Sequence, residues 1–368
     1  MMKEELFFEL IQIAVGRRER LSRKPSAEEW AEIYAMSKKQ AVVGVAFLAL
    51  EQLCKEGQKP PVALLYEWIA AAEQIKVRNE VLNGRCSEIT KLFAEAGFRS
   101  CILKGQGNAL MYPEPESRNS GDIDIWAYSK TNTDCTDKTD NSLRHAITKF
   151  VKGRCPNAFE QYHHIDFPVF KDVEVEVHYT PGKLLTPRSN KRFQEWCRIE
   201  SIRLIDNSLE NAYGFCSPSI AFNAVYQMAH MMIHFFIEGI GLRHFVDYFY
   251  VLKKLHEEGC TEDYVGLFKH LGLLKFAKGV MWVEKEILGL SSEYLICEPD
   301  ERIGRVILKE MEEGGNFGMY DDRYAYRRKG YLARGIVDGY RLIKLAYYFP
   351  QDSLWKLVRK VENQKWKI

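Results

Sequence analysis

The spacing of hydrophobic residues changes period twice along the 368-residue chain, and this constrains the fold more than any other feature. Over residues 1 to about 96, apolar side chains return every three or four positions: Leu6, Phe7, Leu10 and Ile11, then Trp30, Ile33 and Tyr34. Pro60 and Pro61 interrupt this once. A long helix is then expected from Val62 to Ala96, closed by Gly97, with Leu65, Trp68, Ile69, Ala72, Ile75, Val77, Val81 and Leu82 along one face. From Phe98 the period becomes two, in FRSCIL, DIDIWAY, and the pair QYHHIDFPVF and VEVEVHY around the short connection Lys171-Asp172. One helix is expected among these strands, at about Asn141 to Gly153, with the polar run Ser129 to Ser142 read as a loop before it. After about Asp206 the helical period returns, through Ser219 to Glu238, Leu242 to His256, Tyr264 to Leu271 and Leu274 to Leu288. The expected fold is α+β: a small mixed-sheet core over residues 97–206, between a helical subdomain at 1–96 and a helical domain at 207–368.

Composition removes several classes of function. Lys and Arg number 52 against 50 acids, so no global field marks a nucleic-acid or membrane binder, and any basic patch is local. The longest apolar segment, Ala221 to Leu242, contains Gln227, His230, His234 and Glu238 and is too polar for a membrane span. The first twenty residues mix acids into their apolar run and lack a positive leader, which argues against a secretory signal. Nine scattered cysteines without a CxxC pair point to reduced thiols in a cytoplasmic protein and away from a cysteine-bound zinc.

The chemistry concentrates between Phe98 and Tyr128. Asp122 and Asp124 stand two apart among Ile123, Ile125 and Trp126, so in a strand both carboxylates leave one face while the isoleucines fill the other. Paired carboxylates hold a hard divalent cation, and beside phosphate oxygens they are the arrangement expected for handling a nucleotide. LKGQG, Leu103 to Gly107, follows a strand and opens a helix, a place where free N–H groups and the helix dipole favour phosphate. It is neither a dinucleotide fingerprint, which needs glycine where Leu110 stands, nor a GxxxxGK phosphate loop. In VEVEVH, Glu174, Glu176 and His178 share a face, so a third carboxylate is available on a later strand.

Taken in order, a strand, a glycine turn opening a helix, a DxD strand and a later carboxylate resemble the DNA polymerase β-like nucleotidyltransferase superfamily. LKG, YPEPESRNSGDIDIW and VEVH, with HMMIHFFIEGIGLRHFVDYFYVL in the helical part, more closely resemble a family of uncharacterised nucleotidyltransferases known mainly from bacteria. The resemblance covers about two thirds of the chain. It implies Asp122, Asp124 and Glu176 as catalytic metal ligands for Mg2+ or Mn2+, Gly105 as the phosphate-turn glycine, and Lys104 and Arg118 as phosphate contacts. The implied reaction moves a nucleoside monophosphate from a nucleoside triphosphate to a hydroxyl-bearing acceptor, whether small molecule, protein or RNA. Gln106 stands where the superfamily usually has serine or glycine, the interval before Asp122 is long, and the third acid is Glu where Asp is frequent. A DxD glycosyltransferase using a nucleotide sugar also fits the paired acids, but gives no reason for the glycine turn or for VEVEVH. A non-catalytic nucleotide-binding module is a third reading.

Other features have plainer explanations. His178 reads as a hydrogen-bonding neighbour of the ligands, and His163 and His164 as pointing to opposite faces of a strand. His230 and His234 lack the Glu of HExxH and read as core or pocket-lining residues. Arg243 and Asp247, at i and i+4, read as a buried pair joining bundle to core, or Arg243 as a substrate contact. From Arg323 to Ile368 twelve basic residues face three acids amid tyrosine and tryptophan, either a solvated basic helix face or a polyanion surface.

Overall fold

The structure, a computed structural model, describes residues 5–129, 137–207, 211–320, 339 and 341–365. Four helices precede the sheet: α1 (Glu5–Ala14), α2 (Ala27–Lys39), α3 (Val43–Lys55) and α4 (Val62–Glu95). Helix α2 begins at a capping box, in which the Ser26 hydroxyl accepts from the Glu29 N–H and the Glu29 carboxylate accepts from the Ser26 N–H. Helix α4 stops before Gly97, which takes φ +88. Its buried stripe is Trp68, Asn79, Leu82, Cys86, Ile89 and Phe93, whereas Val77 and Val81, expected on that face, are exposed. The stripe drifts because α4 serves two cores, Trp68 in the helical one and Leu82 to Phe93 beneath the sheet.

The sheet has the order β1-β2-β4-β3, with β1 (Phe98–Leu103), β2 (Ile123–Ser129), β3 (His164–Asp166) and β4 (Val175–His178). It is mixed: β1 with β2 and β3 with β4 are antiparallel, while β2 with β4 is parallel. A parallel pair needs a crossover, supplied here in part by α6 (Asp137–Arg154). A short helix α5 (Gly105–Ala109) intervenes between β1 and β2. Helix α6 takes up residues 137–142 of the run read as loop, because periodicity is silent in a polar first turn. Residues 130–136 of that run lie outside the described residues.

Alternation divides the sheet cleanly. Ile102, Ile123, Ile125, Ala127, Ile165, Val175 and Val177 pack with Leu82, Ile89 and Phe93 of α4 and Ile147 and Val151 of α6. The other face presents Leu103, Trp126 and Tyr128 to the helices that follow, and Trp126 stacks on Phe222 at 5.4 Å between ring centroids. Those helices are α7 (Pro187–Asn207), α8 (Ile220–Ile237), α9 (Leu242–Glu257), α10 (Tyr264–Leu271), α11 (Leu274–Glu286), α12 (Glu301–Gly314) and α13 (Pro350–Lys365). Helix α7 was not expected from the sequence pattern.

Helices from the two ends of the chain share one hydrophobic core, which runs from Leu6 to Phe349. Gln40, at the end of α2, donates to the Met311 carbonyl and accepts from the Leu242 N–H, tying α12 and α9 to the N-terminal helices. Helix α8 is the one described helix apolar and long enough to cross a membrane, and 72% of it is buried inside the protein as a central core helix. The eight described cysteines are free thiols.

Candidate active site

The site is built on the face of the sheet opposite α4. Strand register sets Asp124 beside Glu176 on the parallel pair β2–β4 and Asp166 beside Glu176 on the antiparallel pair β3–β4. Two residues further along, Trp126, His178 and His164 form a second row on the same face. Ligand atoms of Asp124, Glu176 and His178 lie within 4.8 Å of one another. Asp122 stands one residue before β2, outside that group, and lines a cavity with Glu176 and His178.

Lys104 and His178 supply the local positive charge. Lys104 leaves β1 with φ +40, an uncommon conformation for a residue with a Cβ, and Gly105 follows with φ +41. This double left-handed turn swings the ammonium across to Asp124 Oδ2 at 2.9 Å. His178 Nε2 reaches Asp124 Oδ1 at 2.9 Å and Glu176 Oε2 at 3.5 Å. Burial alone lowers the affinity of this imidazole for a proton, but hydrogen bonds and charge from the two carboxylates outweigh it and lift the pKa to about 9. The Lys104 ammonium is likewise held well above its ordinary value, with burial opposed by Asp124 and Asp122. For Asp124, burial pushes the carboxyl up, and Lys104 and His178 more than reverse it.

The acidic floor opens into a cavity of about 940 Å³. Its opposite wall comes from α8, with Tyr226, His230 and His234, and from Phe317. Phe317 takes φ +53 between Gly315 and Gly318 and sets its ring 5.0 Å from His234 and 5.4 Å from His244. The close approach requires glycine below it, since a Cβ on Gly239 would meet Gly318 N at 2.8 Å. The sequence signal for Phe317 was the glycine pair around it, which periodicity passes over.

Three expectations change in this setting. Arg118 is 4% exposed and gives Nε and Nη2 to Asp247 at 2.7 and 2.8 Å, so its fork is spent inside the protein and is not offered to phosphate. Asp247 also accepts from Tyr112 and Asn108, and Asn108 in turn accepts from Asn223 and Gln227. This network joins the turn after β1 to α8 and α9, and it replaces the expected Arg243–Asp247 pair. Arg243 instead donates Nη1 to the Asn119 carbonyl, lies over Phe317, and keeps a buried Nε without a hydrogen-bond partner. Arg243 and Arg118 both line a narrow pocket with Lys104, Gly105 and Asp122, Arg118 with its Nε and Nη2 held by Asp247 and Arg243 with its Nε unbonded. Finally, His163 and His164 both line the cavity, because β3 starts only at His164 and the extended alternation does not reach His163.

Gln106, the departure in the glycine turn, points away from the cavity, donating to Asn83 Oδ1 of α4 at 2.6 Å. His230 and His234 line the cavity, and His234 pairs with Glu238 at 2.9 Å. Of the basic C-terminal stretch, residues 323–338, 340 and 366–368 lie outside the described residues.

A four-stranded mixed sheet that sets Asp124 beside Glu176 and is flanked by helices makes this an α+β protein. The chain belongs to the family described as uncharacterised nucleotidyltransferase, whose model matches residues 26–289, from α2 through α11. Searches of curated proteins and of solved structures each found no match. The matched span holds every site residue named above except Phe317.

Proposed function

We propose that the protein transfers a nucleoside monophosphate from a nucleoside triphosphate to a hydroxyl-bearing acceptor, with Mg2+ or Mn2+ held by Asp122, Asp124 and Glu176. The observation that carries this reading is the in-register pairing of buried Asp124 with Glu176, which lines the cavity together with Asp122. The residues fit a divalent ion. Asp124 is 1% exposed, and the Lys104 ammonium at its Oδ2 and the His178 ring at its Oδ1 stand against the carboxylate where an ion would balance the charge. An oxygen-rich set suits Mg2+ or Mn2+. When bound, such an ion neutralises the triphosphate and favours ionisation of the attacking hydroxyl.

The chain's own groups account for the rest. Lys104 moves its point charge from Asp124 to a phosphate oxygen, and Arg243 turns its free Nε to another. The acceptor oxygen bonds to the α-phosphorus, the bond from that phosphorus to the β-bridging oxygen breaks, and pyrophosphate leaves with the electron pair. Glu176, 31% exposed at its side chain, is placed to take the hydroxyl proton. The order of strand, turn, DxD and third acid supports membership in the DNA polymerase β-like superfamily, the closer family resemblance supports a bacterial source, and the free thiols support a cytoplasmic setting. The acceptor is a small molecule, a protein side chain or an RNA end.

The test is incubation with each α-labelled nucleoside triphosphate and Mg2+ or Mn2+, with and without cell extract. Label transfer and pyrophosphate release are expected, falling about a thousandfold in Asp124→Asn as several kcal/mol of charge stabilisation is lost. A second reading, non-catalytic nucleotide binding, is favoured by the near-complete burial of Asp124 between Lys104 and His178. Tight nucleotide binding without transfer would establish it.

A further inference from the structure

We infer that β3 and β4 carry a second metal site, distinct from the Asp122–Asp124 pair and suited to a first-row transition dication, formed by His164, Asp166 and Glu176. In the antiparallel pair His164 stands opposite His178 and Asp166 opposite Glu176, so HID on one strand faces EVH on the other as a two-by-two grid on one face. Ligand atoms of His164, Asp166 and Glu176 lie within 4.8 Å of one another. His164 is 4% exposed, and its Nε2, which lies 3.3 Å from Asp166 Oδ1, has no hydrogen-bond partner. Its other nitrogen, Nδ1, lies 3.2 Å from His163 Nε2 and 3.3 Å from Glu176 Oε2. Nδ1 thus faces His163 and Glu176 while Nε2 faces Asp166, so the ring stands between the two carboxylates.

The donor set decides the metal class. One imidazole with two carboxylates suits Mn2+, Fe2+, Co2+ or Zn2+ better than Mg2+, which prefers oxygen and sheds its water reluctantly. Glu176 belongs to this group and to the Asp124–His178 group, so one carboxylate bridges two adjacent positions, the layout of a two-metal centre. The site meets the nucleotidyl-transfer reading only at Glu176, because His164 and Asp166 take no part in that reading.

The experiment is titration of the full-length protein with Co2+ alone, followed by its visible absorption and by calorimetry. The variants are His164→Ala, Asp166→Asn and Asp124→Asn, each checked for a native melting transition. Outer-shell changes already weaken sites by 10- to 100-fold, so loss of a ligand is expected to weaken Co2+ by roughly 100-fold or more in His164→Ala and Asp166→Asn. Asp124→Asn should retain the spectrum. Asp166 is partly exposed at the sheet edge, so its variant separates ligand loss from misfolding if His164→Ala fails to fold. Unchanged Co2+ affinity in Asp166→Asn, or loss of the spectrum in Asp124→Asn alone, would overturn the assignment. Failure of nucleotidyl transfer in the labelling assay would leave the Co2+ result standing.

Discussion

Arg118 gives two nitrogens to one carboxylate, and that carboxylate is also bonded by Tyr112 and Asn108. Burial pushes the Asp247 carboxyl up, but the Arg118 charge and these hydrogen bonds carry it below its ordinary value. Removing one partner of such a pair leaves an uncompensated buried charge. Arg118→Ala is therefore expected to lower stability by about 3–5 kcal/mol, measured by urea denaturation. Nucleotide affinity in the folded fraction should change little, because the guanidinium is already engaged. A variant of wild-type stability with weakened nucleotide binding would return Arg118 to the phosphate role.

Elements are set against one another by close contacts that leave no room for a side chain. Helix α3 crosses the turn at Pro115–Ser117 so tightly that a Cβ on Gly44 would meet the Ser117 carbonyl oxygen at 2.2 Å. That turn leads directly into Arg118, so α3 fixes where the buried pair forms. Gly44→Ala gains intrinsic helix propensity of about 1 kcal/mol, but a backbone oxygen cannot yield as a flexible side chain does. Overpacking of this kind typically costs about 1–3 kcal/mol, so a net loss of melting temperature is expected in calorimetry. At the far end of the bundle Arg341 pairs with Glu310 and donates to the carbonyls of Phe235 and Phe236, closing the last turn of α8, which lines the cavity.

At the scale of the whole molecule, Glu284 stands out among the described residues as an acid buried without compensation. Glu284 of α11 is fully buried, neither carboxylate oxygen has a hydrogen-bond partner, and burial holds its carboxyl well above the ordinary range. A group whose folded pKa lies above its unfolded value binds more protons in the folded state. Stability therefore falls as pH rises above the unfolded carboxyl value, near 4.3, by about 1.4 kcal/mol per unit until the folded group ionises. Glu284→Gln removes that slope. Melting temperatures of the two proteins should converge near pH 4 and separate in favour of the variant toward pH 8. A constant difference across that range would mean Glu284 is compensated.

By itself the sequence determined the α+β layout, because period two and period three-to-four are local properties that burial enforces residue by residue. Ile123, Ile125, Val175 and Val177 were legible as one buried face, and with them the rise of Asp124 and Glu176 on the other. The polar first turn of α6 was not legible, since a turn without apolar positions leaves no period, whereas α7 does carry Phe193, Trp196 and Cys197 at i, i+3 and i+4 within a largely polar segment. Partner choice lay further out of reach. Arg118 and Arg243 are equally basic in the sequence, yet only the packing of α9 against the turn after β1 gives Asp247 to the first and leaves the second with an unbonded Nε. The same holds for His164, whose place beside Asp166 and Glu176 depends on strand register. Tertiary structure decided these pairings because burial makes each charge take the nearest partner in space, and distance along the chain does not record which partner that is.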